Sequence, residues 1–396
     1  MARKHNVAVT GIGHSRILRR PDVPLGKLAV EAAETAIADA GLKISDIDGV
    51  ICTPSVPFDM DVAPRDGHHF VSADLMITAL GLRPRWGLNH QRMVAQSMIE
   101  AVHALEAGVC DYALVVRALH NPAGSYGHTS TQGAKGTGQF RLPYGQFYPG
   151  TWGQMWHRYR DRYNSGSREQ MASFVIRSRE HGLLNPDSYW AQYKPEPLTM
   201  EKYLAGATVA SPLTLFDCDI PIQGAAAFVL TRDDRAQDGP NAPAYVLGVS
   251  NPPVPLPTDL DVYGLDEEEQ LGARTAEVLW ADAGLGPADV DVANLYDGFS
   301  FIAMVWLEAM GFCGRGEAFE FVQGERTSLT GKLPLNTGGG NLGAGRMHGV
   351  AHLMDSIRQV SRRAGAAQVA DADVALAVVG PQKSGGAVLF GAQRPD

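Results

Sequence analysis

Cysteine is scarce and scattered. Cys52, Cys110, Cys218 and Cys313 are the only four in 396 residues, and their isolation excludes a disulfide framework and a CxxC-type metal site. Charge is sparse as well: charged residues make up 19% of the chain, with a net charge of -9. No basic stripe or interleaved aromatic platform offsets that balance, so nucleic acid is excluded as a partner. No apolar run approaches the roughly 20 residues of a membrane span. The opening "MARKHNVAVTGIG" passes straight into a strand-like run with no signal-peptide core, and the expected location is the cytoplasm. There is no G-K-[ST], hence no P-loop. What remains is an ordinary globular composition, 45% hydrophobic, with enough chain for one large α/β domain or two fused halves.

An internal echo favours two halves. "AIADAGLKISDIDGV" (36–50) recurs as "LWADAGLGPADVDVA" (279–293). Each copy reads as an amphipathic helix closed by a glycine, Gly41 or Gly284, then an Asp-rich turn and a short apolar strand. Two distant copies indicate a duplicated half rather than a solenoid. "NVAVTGIG" (6–13) and "AYVLGVS" (244–250) then open the halves, which span 1–235 and 240–396. Strands alternating with helices at 25–41, 97–108 and 264–284 predict α/β layers around a largely buried sheet. Residues 118–205 have a different texture, rich in Gly, Tyr, Trp, His and Arg, and read as a helical and loop cap inserted in the first half.

The glycine-rich "NTGGGNLGAGRMHG" (336–349) is the sharpest local feature. Gly338, Gly340 and Gly343 satisfy G-x-G-x-x-G formally. The context argues against a dinucleotide: the motif lies late in the chain, and residue 363, where a ribose-binding acid belongs, is arginine. "VAHLMDSIRQV" (350–360) follows, with Val350, Leu353, Met354, Ile357 and Val360 on one helical face. The loop therefore leads into a helix N-terminus, where amides attract an anion or developing oxyanion. A plain tight turn is the alternative.

Taken together, "LGKLAVEAAETAIADAGL" (25–42), "AVHALEAGVCDYALVV" (101–116), "LNPDSYWAQY" to "GAAAFVL" (184–230), "NLYDGFSFIAMVWLEAMGFC" (294–313) and the glycine loop resemble the thiolase superfamily, in its sterol carrier protein x-type and lipid-transfer branch. The resemblance implies an α/β thiolase fold: two βαβαβαββ halves in five layers plus a loop domain. The departures matter more. Counting back along the helix before "GVCDYALVV" puts the family's nucleophilic cysteine near Gln91, and no cysteine is there. Arg346 and Met347 stand where the family has His-Pro, Tyr296 and Asp297 where it has its oxyanion pair, and "VVGPQKSGGAVLF" (378–390) lacks the second catalytic cysteine. Without a thiolate there is no acyl-enzyme, so thiolase activity is not expected.

Retro-aldol cleavage needs no acyl carrier. It needs a base for a β-hydroxyl and donors for a thioester enolate. Tyr296 is the expected base, its ionisation favoured by a neighbouring Arg346; Arg346 itself stays charged. His348 is expected as oxyanion donor or as the acid that reprotonates the enolate. Asp297, Asn336, Gly339, Gly340, His90 and Gln91 are the expected substrate and oxyanion contacts, with bracing of a turn as the alternative for Asp297 and the last two filling the vacated nucleophile pocket. The YDGF and GR-x-HG segments also resemble those of steroid side-chain-cleaving aldolases. That likeness implies cleavage of a 17-hydroxy steroid 20-carboxyl-CoA to a 17-keto steroid and propionyl-CoA, with no cofactor beyond the substrate's CoA and no metal in this chain. It further implies a homodimer bound to a small OB-fold partner with a zinc ribbon, as an α2β2 complex. The aromatic stretch "FRLPYGQFYPGTWGQMWHRY" (140–159) is compatible with a flat apolar ligand. A non-catalytic acyl-CoA- or lipid-binding scaffold, and a cysteine-free decarboxylase or acyl-transfer variant, are the competing expectations.

Overall fold

A computed structural model describes residues 4–20, 22–55, 63–90, 93–120, 148–252 and 264–394. Eleven strands are present among them: β1 (Val7–His14), β2 (Gly49–Cys52), β3 (Trp86–Asn89), β4 (Tyr112–His120), β5 (Thr208–Ala210), β6 (Leu213–Thr214), β7 (Gln223–Arg232), β8 (Ala244–Ser250), β9 (Val292–Leu295), β10 (Val374–Val379) and β11 (Gly386–Gly391). Nine form one mixed sheet in the order β3-β2-β4-β7-β1-β8-β11-β10-β9.

The order contains its own repeat. β2-β4-β7-β1 matches β9-β10-β11-β8 strand for strand. In each half the first pair is parallel and the next two are antiparallel. The half-sheets join edge to edge where Ala8 and Val9 of β1 face Tyr245 and Ala244 of β8.

Alternation along the strands distributes side chains to separate layers, because successive residues point to opposite faces. In β4, Ala113 and Val115 enter a central core with the helices Val94–Glu106 and Val350–Val360, whereas Leu114 and Val116 pack under the helix Leu25–Asp39. In β10, Ala375, Ala377 and Val379 join the central core, while Leu376 and Val378 meet the helices Leu265–Ala283 and Ser300–Ala309. The layers are thus helix, sheet, helix, sheet, helix. The predicted helical face Val350, Leu353, Met354, Ile357 and Val360 is buried throughout.

The cap consists of the helices Tyr148–Tyr163, Arg168–Leu184, Tyr189–Tyr193 and Met200–Leu204 and the ribbon β5–β6; its stretch 121–147 lies outside the described residues. The aromatic segment proves to be core rather than ligand face where it is described. Trp152, Trp156 and Tyr159 are buried, and the Trp156 ring stacks on Phe301 at 6.1 Å and on Phe319 at 5.9 Å. Among the described residues no helix is long and apolar enough to cross a membrane.

Candidate functional site

The site lies where the two halves and the cap converge. β9 ends at Leu295, and Tyr296 and Asp297 follow in a buried turn before the helix Ser300–Ala309. Tyr296 is 5% exposed, its ring tilted against His352 at 5.7 Å between centroids. Its hydroxyl folds back over Gly298, where a Cβ would stand 2.9 Å from the phenol oxygen. Gly298 is tied in turn to the next strand of the site: its carbonyl accepts from the Asp219 amide at 3.2 Å.

Arg346 is fixed by its backbone, which donates to the Ile220 carbonyl at 2.8 Å. Its Nε donates to His348 Nε2 at 3.0 Å and lies 3.8 Å from the buried Asp219 carboxylate. Residues 219–221 therefore bridge the turn after β9 to the glycine loop. On the other side of His348, Arg117 Nη2 stands 2.7 Å from Nδ1, and Arg117 Nη1 donates to the Thr53 carbonyl at 2.7 Å. The Thr53 and Ser97 hydroxyls meet at 2.7 Å, which carries the network to the first turn of the helix Val94–Glu106.

His348 does not fit the expected role of acid or oxyanion donor. Both ring nitrogens face guanidinium N–H groups, whereas a neutral imidazole offers one lone pair. Burial first, then the charges of Arg346 and Arg117, push its pKa well below the ordinary value, so it stays neutral. Its backbone is held in the left-handed region at φ 49°. The geometry makes it a spacer between two cations.

Three further expectations are corrected by the hydrogen bonding. The Asp297 carboxylate accepts from the Asn341 amide at 2.7 Å, from Leu342 at 3.2 Å and meets His352 Nε2 at 2.9 Å, so it braces the glycine loop. The Asn336 side chain is engaged by Leu295, accepting from its N–H at 2.7 Å and donating to its carbonyl at 3.0 Å. The Gly339 amide donates to the Asn336 carbonyl at 2.7 Å. Asp297, Asn336 and Gly339 thus hold the scaffold together through these bonds.

The glycines answer to packing. Gly339 sits at φ 101°, and a Cβ there would stand 2.6 Å from Gly182 Cα on the cap helix Arg168–Leu184. A Cβ on Gly340 would reach the Asp297 and Asn336 side chains at 2.5 Å and 2.6 Å. The loop is glycine-rich so that it can lie flush between that helix and the turn after β9.

His90 follows β3, its amide donating to the Cys52 carbonyl at 2.9 Å, which sets it beside the strand that leads into Thr53. Gln91 lies outside the described residues. Burial pushes all four thiols up, Cys110 and Cys313 to about 12, so none is a ready thiolate.

Arg117 and Asp219 were missed by sequence reasoning. Arg117 had a signal: a lone cation inside the apolar strand "YALVVRALH", where a buried charge is expensive unless it has work to do. Asp219, in "DCDIP", had none.

A duplicated α/β half, helices buried between the half-sheets and a glycine loop packed on the turn after β9 define a thiolase-fold protein. Residues 270–389 match the model described as thiolase C-terminal domain-like, and similar proteins align along nearly the whole chain. It is 29% identical over 402 residues to a steroid side-chain-cleaving aldolase of Thermomonospora curvata, covering 98% of both chains. It is also 29% identical to the 17-hydroxy-3-oxo-4-pregnene-20-carboxyl-CoA lyase of Mycobacterium tuberculosis, over 89% of this chain and 91% of that one. The solved Ltp2-ChsH2(DUF35) aldolase superposes with a TM-score of 0.81 at 26% identity, covering 99% of each chain. Human mitochondrial 3-ketoacyl-CoA thiolase, at 14% identity and a TM-score of 0.66, shares the fold.

Proposed function

We propose that this chain is a carbon–carbon lyase that cleaves a 17-hydroxy steroid 20-carboxyl-CoA by retro-aldol chemistry. The Tyr296 phenolate takes the hydroxyl proton of the substrate. The alkoxide electrons form the ketone as the bond between the carbinol carbon and the α-carbon breaks, and that bond's electron pair enters the thioester as an enolate. Protonation of the α-carbon then gives propionyl-CoA, so atoms balance without an acyl-enzyme or an oxidant.

The observation that carries the reading is the setting of Tyr296. Its hydroxyl lies over Gly298, whose carbonyl accepts from the Asp219 amide; the Asp219 carboxylate stands 3.8 Å from Arg346, and Tyr296 is within electrostatic reach of Arg117. Cations beside a buried phenol favour its ionised form. Degeneration to a scaffold would have no reason to bury two guanidiniums around a histidine at this point. The names of the two full-length relatives, both carbon–carbon cleaving enzymes of steroid substrates, support the same reaction class.

By likeness to the Ltp2-ChsH2(DUF35) aldolase, the working form pairs a homodimer of this chain with a DUF35-type partner, an α2β2 assembly in which zinc belongs to the partner. The test is to incubate the chain, with and without that partner, with the steroid β-hydroxyacyl-CoA and to identify products by mass. Ketone plus propionyl-CoA is expected. Binding without turnover, or acyl transfer to a second CoA thioester, would overturn the proposal.

A further inference from the structure

Arg117 has no counterpart charge of the usual kind. It is 1% exposed in the middle of β4. Its bonds go to a backbone carbonyl and a neutral imidazole, and among the described residues its Nε has no partner and it makes no carboxylate ion pair. Burying a guanidinium in that state is costly. Burial and the Arg346 charge both disfavour its cation and lower its pKa to about 10, while an ionised Tyr296 favours the cation. Other ionisable groups of the site have partners of their own. Asp219 faces Arg346, His352 and Asp297 pair with each other, and His348 is held neutral.

The ladders sharpen the point. Ala113 of β4 and Ala375 of β10 sit at matching places, opposite Gly49 and Val292 respectively. Arg117 therefore corresponds to Val379, which is fully buried. The fold accepts valine there, so the cation is not required to build it.

We infer that Arg117 is a positioning residue supplied by the N-terminal half, which keeps Tyr296 in its base form across the junction between the halves and, through His348, sets the orientation of Arg346. This rests on the retro-aldol reading but concerns a residue that acts through Tyr296 and His348.

Arg117→Gln keeps hydrogen bonding to Thr53 and His348 without charge, Arg117→Met removes both, and Arg117→Lys keeps charge. Tyr296 ionisation is read by ultraviolet difference titration of each protein against its own Tyr296→Phe derivative, alongside kcat/KM against pH with the partner bound. In the Gln and Met variants the Tyr296 midpoint and the acid limb of kcat/KM are expected to move up together by at least one pH unit. The rate at neutral pH should fall 10- to 100-fold, and the melting temperature should hold or rise, since an unpaired buried charge is gone. In Arg117→Lys the midpoint stays near that of the wild type. A Gln or Met variant that folds but leaves the Tyr296 midpoint unmoved overturns the inference, as does loss of melting temperature and rate at every pH without a shifted limb. If Tyr296→Phe alone retains the wild-type rate, it is the retro-aldol reading that fails, and the titration still decides the coupling of Arg117 to Tyr296.

Discussion

The two halves share strand order, pairing and layers, yet they divide the chemistry unequally. The ladder partners Gly49 and Val292 mark equivalent places, which sets Thr53 of the first half opposite Tyr296 of the second, as Arg117 is set opposite Val379. One half ends its strand in a phenol and supplies Arg346; the other ends the matching strand in a short hydroxyl and supplies Arg117. Each half contributes one of the two guanidiniums that meet at His348. The duplicated backbone fixes where residues can meet, and asymmetric side chains at paired positions decide what they do there. The site is an inter-half object, with His348 touching Arg117 from one side and Arg346 from the other.

Making the halves alike is the most damaging change. Tyr296→Thr copies the residue of the first half, keeps a hydroxyl but withdraws it by several Å, and is expected to lower kcat/KM for cleavage by about 10³-fold with a near-native circular dichroism spectrum. A rate within threefold of wild type would show that the halves' difference at this place is incidental. Gly298→Ala tests the seating of the phenol without changing it. The new Cβ would sit 2.9 Å from the hydroxyl, and a displacement of that order is expected to reduce kcat about 10- to 100-fold with little change in melting temperature. Equal activity would place the reactive geometry elsewhere.

Stability separates scaffold from chemistry. Asp297→Asn turns an acceptor into a donor facing the Leu342 or Asn341 amide, so about 2–4 kcal/mol of unfolding free energy should be lost by urea titration. Gly339→Ala meets both a positive φ and the Gly182 backbone, with an expected loss of about 2–3 kcal/mol. Wild-type stability in either variant would return these residues to the list of substrate contacts.

The smallest effects compare two buried histidines. At the junction of the halves, His5 lies 2.7 Å from both Glu106 and Asp282. Burial opposes its charge, but the two carboxylates prevail and its pKa rises to about 9. Its contribution to stability is complete below about pH 6.5, the unfolded value, and vanishes as pH climbs through about 9. His348 has the opposite sign: its folded value is depressed, so its contribution is present above about pH 6.5 and is lost as pH falls. Urea unfolding against pH should show His5→Gln flattening the alkaline side and His348→Gln the acid side, each by about 1–2 kcal/mol. Identical pH dependence in the two variants would contradict the charge assignments.

Much of this architecture was legible in the sequence because duplication leaves a trace that periodicity alone does not. The echo at 36–50 and 279–293, the glycines closing both helices, and the apolar face of 350–360 each reported a local physical requirement, and the structure has them where they were expected. The boundaries of the cap were legible only in texture. Its aromatics were misread because a buried aromatic cluster and a ligand-facing one have the same composition.

The site was half legible. Tyr296, Arg346 and His348 stood out because unusual residues fill places that a thiolase needs for other chemistry. The roles of Asp297, Asn336 and Gly339 did not, since a residue type does not say whether its hydrogen bonds face the substrate or the neighbouring loop. Asp219 reaches the site through long-range contacts with Gly298 and with the glycine loop. Arg117 was visible as a charge in an apolar strand, and its partner, 231 positions away along the chain, was not.

The most direct test of the account is the pH dependence of product release from the steroid β-hydroxyacyl-CoA, measured with the partner bound from about pH 5 to about pH 10. Wild type should show a single acid limb, and Tyr296→Phe should lose both the limb and about three orders of magnitude in rate. A Phe variant that keeps the wild-type rate and the same limb would contradict the assignment of the base.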